Sequence, residues 1–193
     1  MPRAKEFDPD AVLQSALELF WRRGYEATSM ADLVEHLGIA RASIYGTFGG
    51  KRDLYLAALR RYLATTDPQI LDELSRPGPV LPSVRALVER FADQSATDEL
   101  RLGCMVVNAA VELASTDAEA ARLVDASWAN LEVALTGALL RARAQGELAA
   151  EADPRALARF LLVLLQGVRV LGRARPDPDR LRDAVDQALR LLR

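Results

Sequence analysis

The sequence predicts an all-α fold, and three observations predict it. Apolar residues recur at i, i+3, i+4 and i+7 along most of the 193 residues, with no strand-like alternation. Asp8-Pro9, Asp153-Pro154 and Asp177-Pro178 each set a capping carboxylate before a proline whose φ is already helical. Gly24, Gly38 and Gly146 stand where periodic runs stop.

The first helix follows Asp8, with Leu13, Ala16, Leu17, Phe20 and Trp21 forming a wide apolar face that ends at Gly24. Tyr25 is expected in the core at the junction, with a phosphate contact from its hydroxyl as the alternative. Thr28-Ser29 supplies hydroxyl caps, and Ser29-x-x-Asp32 is a helix-start signal ahead of Leu33 and Leu37. Gly38 reverses the chain, Ile39 plugs the turn, and Arg41-Ala42-Ser43 opens another short helix. Ile44 and Phe48 face inward there, leaving Arg41, Ser43, Tyr45 and Thr47 outward. A short helix, a tight turn and a second short helix make a helix-turn-helix, whose second helix lies in the DNA major groove.

At these residues the chain resembles the DNA-binding signature of the TetR family of transcriptional repressors. The resemblance is carried by Thr28-Ser29, Gly38-Ile39, Ser43-Ile44-Tyr45, Phe48-Gly49 and Lys51, and it covers the first third of the chain. It implies a three-helix DNA-binding domain over residues 1–52 and a helical effector-binding and dimerisation domain over 53–193. The implied partners are a double-stranded operator, a small-molecule effector and a second copy of the chain. Val34 departs from the pattern, where a small alanine is common. Gly46 and Thr47 replace a larger, often aromatic pair, so the base preference is not carried over. The residues expected at DNA are Thr28, Ser29, Arg41, Ala42, Ser43, Tyr45, Gly46, Thr47 and Lys51.

Bulk charge adds little to this. The net charge is −2, and residues 1–66 hold nine Lys/Arg against eight Asp/Glu. The cationic signal is local, because Gly38 to Arg52 contains no acid. Cys104 is the only cysteine, which rules out an intrachain disulfide and fits a reducing cytoplasm. The opening MPRAKEFDPD has no apolar core of a secretory signal. No apolar run approaches the roughly 20 residues of a membrane span. His36 and Cys104 lie far apart, so no metal or cofactor is expected. The run Gly46 to Lys51 fails as a phosphate loop, since Tyr45 holds the first glycine position and Arg52 follows the lysine.

Lys51 begins a fourth helix, with a kink or fresh start expected at Asp67-Pro68. Arg76 to Pro79 reads as a turn, and a fifth helix is expected from about Pro82 to about Ser95. Leu102 to Leu113, almost wholly apolar, predicts a buried central helix. Ser115-Thr116-Asp117 caps a long helix to about Gln145, and helices after Asp153 and Asp177 complete nine or ten.

Cys104, Asn108 and Glu112 share one side of the buried helix. Two accounts compete for them. They bond neighbouring helix ends or an arginine, or they are the oriented polar groups of an apolar cavity walled by Tyr62, Phe91, Met105, Trp128 and Leu165. The cavity account leaves open an all-α enzyme using Asn108 and Glu112, although no nucleophile–base pair or cofactor loop accompanies them. Cys104 reads as a small buried hydrophobe, with an electrophile-sensing or redox thiol as its alternative. The helix after Pro154 has two apolar faces, Leu157, Leu161, Leu164, Leu165, Val168 and Leu171 on one, Phe160, Val163 and Val170 on the other. One face can cover its own core and the other needs a partner. The residues expected at a dimer interface are Leu157, Leu161, Leu164, Val168, Leu171, Leu181, Val185, Ala188 and Leu192, unless both faces are intrachain core.

Overall fold

The computed structural model describes residues 7–174 and 177–192, among which there are nine helices and no strand. The first three are α1 (Pro9–Arg23), α2 (Met30–Leu37) and α3 (Arg41–Phe48). Next come α4 (Lys51–Ser75), α5 (Val80–Thr97) and α6 (Met105–Glu112). The chain ends with α7 (Ala118–Ala144), α8 (Pro154–Ala174) and α9 (Pro178–Leu189).

The capping residues act as their chemistry requires. Asp8 accepts from the Asp10 amide, and Ser29 with Asp32 forms a reciprocal capping box. Asp117 accepts from the amides of Glu119 and Ala120 at the start of α7. The Glu147 carboxylate reaches from beyond α7 to the amides of Val80 and Leu81, starting α5 slightly before Pro82.

Two apolar clusters hold these helices. One joins α1–α3 and the first half of α4 to α6 and the start of α7, around Phe20, Leu33, Ile44, Tyr55 and Met105. The other joins the end of α4 to α5, the rest of α7, α8 and α9. The first cluster runs unbroken past residue 52, so the front helices and α6 share one core.

Three expectations are corrected. First, of the kink or fresh start expected at Asp67-Pro68, the fresh start is absent, because α4 passes through Pro68 without ending. Proline removes one backbone hydrogen bond, but α4 packs along α7, and Ser127 Oγ of α7 donates to Asp67 at 3.3 Å. Tertiary packing outweighs the local penalty. Second, α6 is shorter than Leu102–Leu113 and not apolar-buried all round, since Val111 is 76% exposed. It is a wedge between the front helices and α7.

Third, the expected interface residues mostly face inward. Leu161, Val168, Leu181, Val185, Ala188 and Leu192 are enclosed in the chain's own core. Leu157 and Leu164 pack at its margin. The stripe of α9 closes against α5, where Arg85 donates to the Leu189 carbonyl at 2.9 Å. The exposed large apolar residues of α8 are Phe160, Val163, Val170 and Leu171, and those of α7, which packs along α8, are Val133 and Leu140.

Candidate nucleic-acid interface and cavity

α2 and α3 meet at Gly38, whose left-handed φ of 65° allows its amide to bond the Val34 carbonyl. Ile44 is the one fully buried side chain of α3 and pins the helix to the core under Leu33. Its other side faces solvent: Arg41, Ala42, Tyr45 and Gly46 are exposed, and Ser43 and Thr47 are half-buried. The Arg41 guanidinium lies 5.8 Å from the Tyr45 ring centroid. Ala40 gives α3 no side-chain cap, so its first amides have no capping side chain.

Behind α3 the chain passes Gly49 and Gly50 at φ 89° and 130°, backbone that other residues adopt only with strain. A side chain at Gly50 would also press on the Tyr45 ring. The pair therefore fixes α3 against α4 and places Lys51, whose Nζ sits 4.2 Å from the Tyr25 ring centroid. Tyr25 is half-buried, and burial first, then the charge of Glu26, pushes its hydroxyl pKa up.

Thr28 departs from the expected DNA-facing set. Its side chain is fully buried and its hydroxyl donates to the Gly24 carbonyl at 2.6 Å. Ser29 is exposed, with its hydroxyl engaged by Asp32. These two residues build the start of α2 and leave α3 and Lys51 as the free surface.

A cleft of about 690 Å³ opens between α4, α5 and α8. Its wall includes Trp21 of α1, whose indole N–H donates to the Gly103 carbonyl at 3.0 Å and whose ring packs edge-on against Tyr62. Of the eight cavity residues expected, Tyr62 and Phe91 line the cleft. Cys104 and Trp128 line a small inward extension of it, with Tyr62 and Phe91 shared. The Tyr62 hydroxyl donates to Cys104 Sγ at 3.7 Å.

Met105, Asn108, Glu112 and Leu165 line neither space. Met105 and Leu165 are core. Asn108 Nδ2 donates to the Leu102 carbonyl at 3.1 Å. The Glu112 carboxylate accepts from the amides of Tyr25 and Glu26 at 2.7 and 3.1 Å. Both polar groups thus bond neighbouring backbone. Among the described residues no cluster of His, Cys, Asp or Glu could hold a metal ion, and no helix is long and apolar enough to cross a membrane.

The charged cleft residues, all of which sequence reasoning missed, are Glu73, Arg76, Arg90, Asp98, Arg169 and Arg173. The legible signal was Arg169 and Arg173, one turn apart on a largely apolar helix.

Two further contacts join the front half of the chain to the body. Besides Glu112, Arg52 Nε donates to Asp117 at 2.5 Å, and Arg60 pairs with Glu119. The hydrogen bond from Arg52, ahead of those from the α7 amides, holds the Asp117 carboxyl down to about 2.

Two family models match this chain. Residues 12–58 match "Bacterial regulatory proteins, tetR family", and residues 80–188 match "Tetracyclin repressor-like, C-terminal domain". The chain is 40% identical to the uncharacterized HTH-type transcriptional regulator YezE of Bacillus subtilis, over 100% of both proteins. It is 32% identical to the HTH-type transcriptional repressor ComR of Escherichia coli, covering 98% of this chain and 90% of that protein. A solved structure of the TetR family regulator CifR, a cysteine mutant complexed with 26 bp operator DNA, superposes with a TM-score of 0.84. CifR shares 33% identity with this chain, covering 99% of it and 100% of CifR. With both halves matched and the helix-turn-helix intact, the chain belongs to the TetR family of transcriptional regulators.

Proposed function

We propose that this regulator is a cytoplasmic homodimeric repressor. Residues 1–52 of each copy read half of a palindromic double-stranded operator, and residues 53–193 pair the copies and hold a small effector that releases the DNA. The observation that carries this reading is the solvent-facing side of α3, acid-free from Gly38 to Arg52, with Tyr45 exposed beside Arg41. The operator in the CifR complex and the repressor name of ComR support it.

On this reading Tyr45 and Lys51 bind phosphate and set register. Arg41 reaches a guanine edge or a phosphate, and Ala42 and Thr47 meet thymine methyls. The copies pair through the outer stripe of α8, Phe160, Val163, Val170 and Leu171, continued by Val133 and Leu140 of α7. A solvent-exposed apolar stripe across two adjoining helices costs free energy until covered, and a two-fold operator calls for a second copy.

Release is a population shift: the effector must bind the DNA-incompetent arrangement better. A hundredfold loss of operator affinity requires about 3 kcal/mol of such preference. The cleft offers a direct route, because Trp21 of α1 is part of its wall and is bonded to Gly103 beside α6. Glu112 at the far end of α6 then grips the loop between α1 and α2. A ligand pressing on Trp21 therefore moves the front helices without relying on α4 as the only rod.

The test is anisotropy of a labelled fragment from the adjacent promoter. The parent is expected to bind that fragment tightly, and Arg41→Ala to bind it more weakly with relaxed base preference. No preference for that fragment over random DNA would defeat the reading. Sedimentation of Val163→Asp should show monomer where the parent shows dimer, and an unchanged mass would reject this interface.

A further inference from the structure

We propose that the cleft binds a small organic anion, a carboxylate on an apolar body, with the anionic group held by Arg169 and Arg173. This names the ligand class of the effector site; it rests on the effector reading only for its consequence at DNA, not for binding itself.

The cleft wall carries four arginines, Arg76, Arg90, Arg169 and Arg173, against two acids, Glu73 and Asp98. Both acids are engaged. Glu73 pairs with Arg90 at 2.7 Å, and Asp98 accepts from the Gly103 amide at 2.8 Å. Among the described residues no carboxylate lies within ion-pair distance of Arg169 or Arg173. Asp67, in the inward extension, accepts from Ser127, and burial raises its pKa.

Arg169 and Arg173 are four residues apart and leave the same side of α8. The Arg169 guanidinium lies 4.0 Å from the Phe91 ring centroid, which holds its charge against apolar surface. A guanidinium fork so held matches a carboxylate in shape and charge. Trp21, Tyr62, Ile70, Phe91 and Leu102 give the wall its apolar and aromatic part, beside the neutral polar side chains of Thr66, Gln69, Gln94, Ser95 and Thr97. The volume of about 690 Å³ falls within the ordinary range for small-molecule sites. A neutral ligand would leave two unpaired cations at its side. The competing account is that both guanidinium groups are solvated and indifferent to ligand charge.

The experiment is calorimetric titration of the full chain with benzoate and hexanoate against benzamide and hexanamide, at fixed ionic strength. The carboxylates are expected to bind at least about tenfold more tightly than the amides. Arg173→Gln should remove about tenfold for carboxylates only, and Arg169→Gln with Arg173→Gln should abolish the preference. Arg169→Lys, which keeps the charge over Phe91, should retain part of it. Equal binding of acid and amide would overturn the proposal. So would an undiminished preference in the double variant, or no heat from either carboxylate up to about 10 mM. Anionic preference without release of a bound promoter fragment would keep this ligand class and sink the effector reading instead.

Discussion

α3 and α6 are both eight-residue helices, too short to persist alone, yet they are stabilised in opposite ways. α3 buries one side chain completely, Ile44, and turns most of the rest to solvent. α6 buries five of its eight residues and ties its last turn to the α1–α2 loop through Glu112. The difference shows how the fold divides labour. The helix proposed to meet DNA keeps its surface free and is located by one plug and glycine-shaped turns. A helix that connects two parts is enclosed and bonded at its end.

The largest test of that contrast is Ile44→Ala. Ile44 is the one fully buried side chain of α3, with Phe48 only partly buried beside the same core, and a loss of about 2–5 kcal/mol is expected, read by thermal or urea denaturation. A cost below about 1 kcal/mol would mean that α3 is held elsewhere. Next comes Glu112→Ala, which leaves the amides of Tyr25 and Glu26 without their acceptor. The expected loss is about 1–3 kcal/mol, with increased hydrogen exchange in the α1–α2 loop. Unchanged exchange there would remove α6 from the connection.

Gly46→Ala probes the free surface from the other direction. Nothing lies within 4 Å of a side chain added there, and alanine favours the helix by up to about 1 kcal/mol. A higher melting temperature is expected, and a lower one would show that α3 needs its glycine.

The smallest effect concerns pH. Asp117 is held down to about 2 when folded, below the ordinary carboxylate value, so its contribution is complete above about pH 4 and lost as the pH falls through 2. Asp67 runs the opposite way. Burial raises its folded pKa, so it erodes stability as the pH rises from 3.8 through that raised value, and Asp67→Asn should remove the erosion. Denaturation midpoints of parent, Asp117→Asn and Asp67→Asn across acid pH should separate these two trends.

Much of this fold was legible because caps and breakers act locally. Asp8, Ser29 with Asp32, Asp117 and Asp177 each start the helix expected of them. What escaped the sequence depends on distant partners. Two apolar stripes on α8 do not say which one α5 covers, and the stripe of Leu161 and Val168 went inward. Thr28 carries a DNA-compatible hydroxyl, but its partner is the Gly24 carbonyl. Glu112 reads equally well as a cavity group or a backbone acceptor, until α6 is placed beside Tyr25. The charged wall of the cleft needed the folded chain, because Glu73, Arg90 and Arg173 come from three different helices.

The central claim is that the outward side of α3 and the adjoining Lys51 meet DNA phosphates. It is tested most directly by the salt dependence of promoter-fragment affinity in the parent and in Lys51→Ala. Loss of one phosphate contact per copy predicts weaker binding on every sequence and a log–log slope shallower by about 1 for each copy bound. The same slope and the same affinity in both proteins would contradict the account.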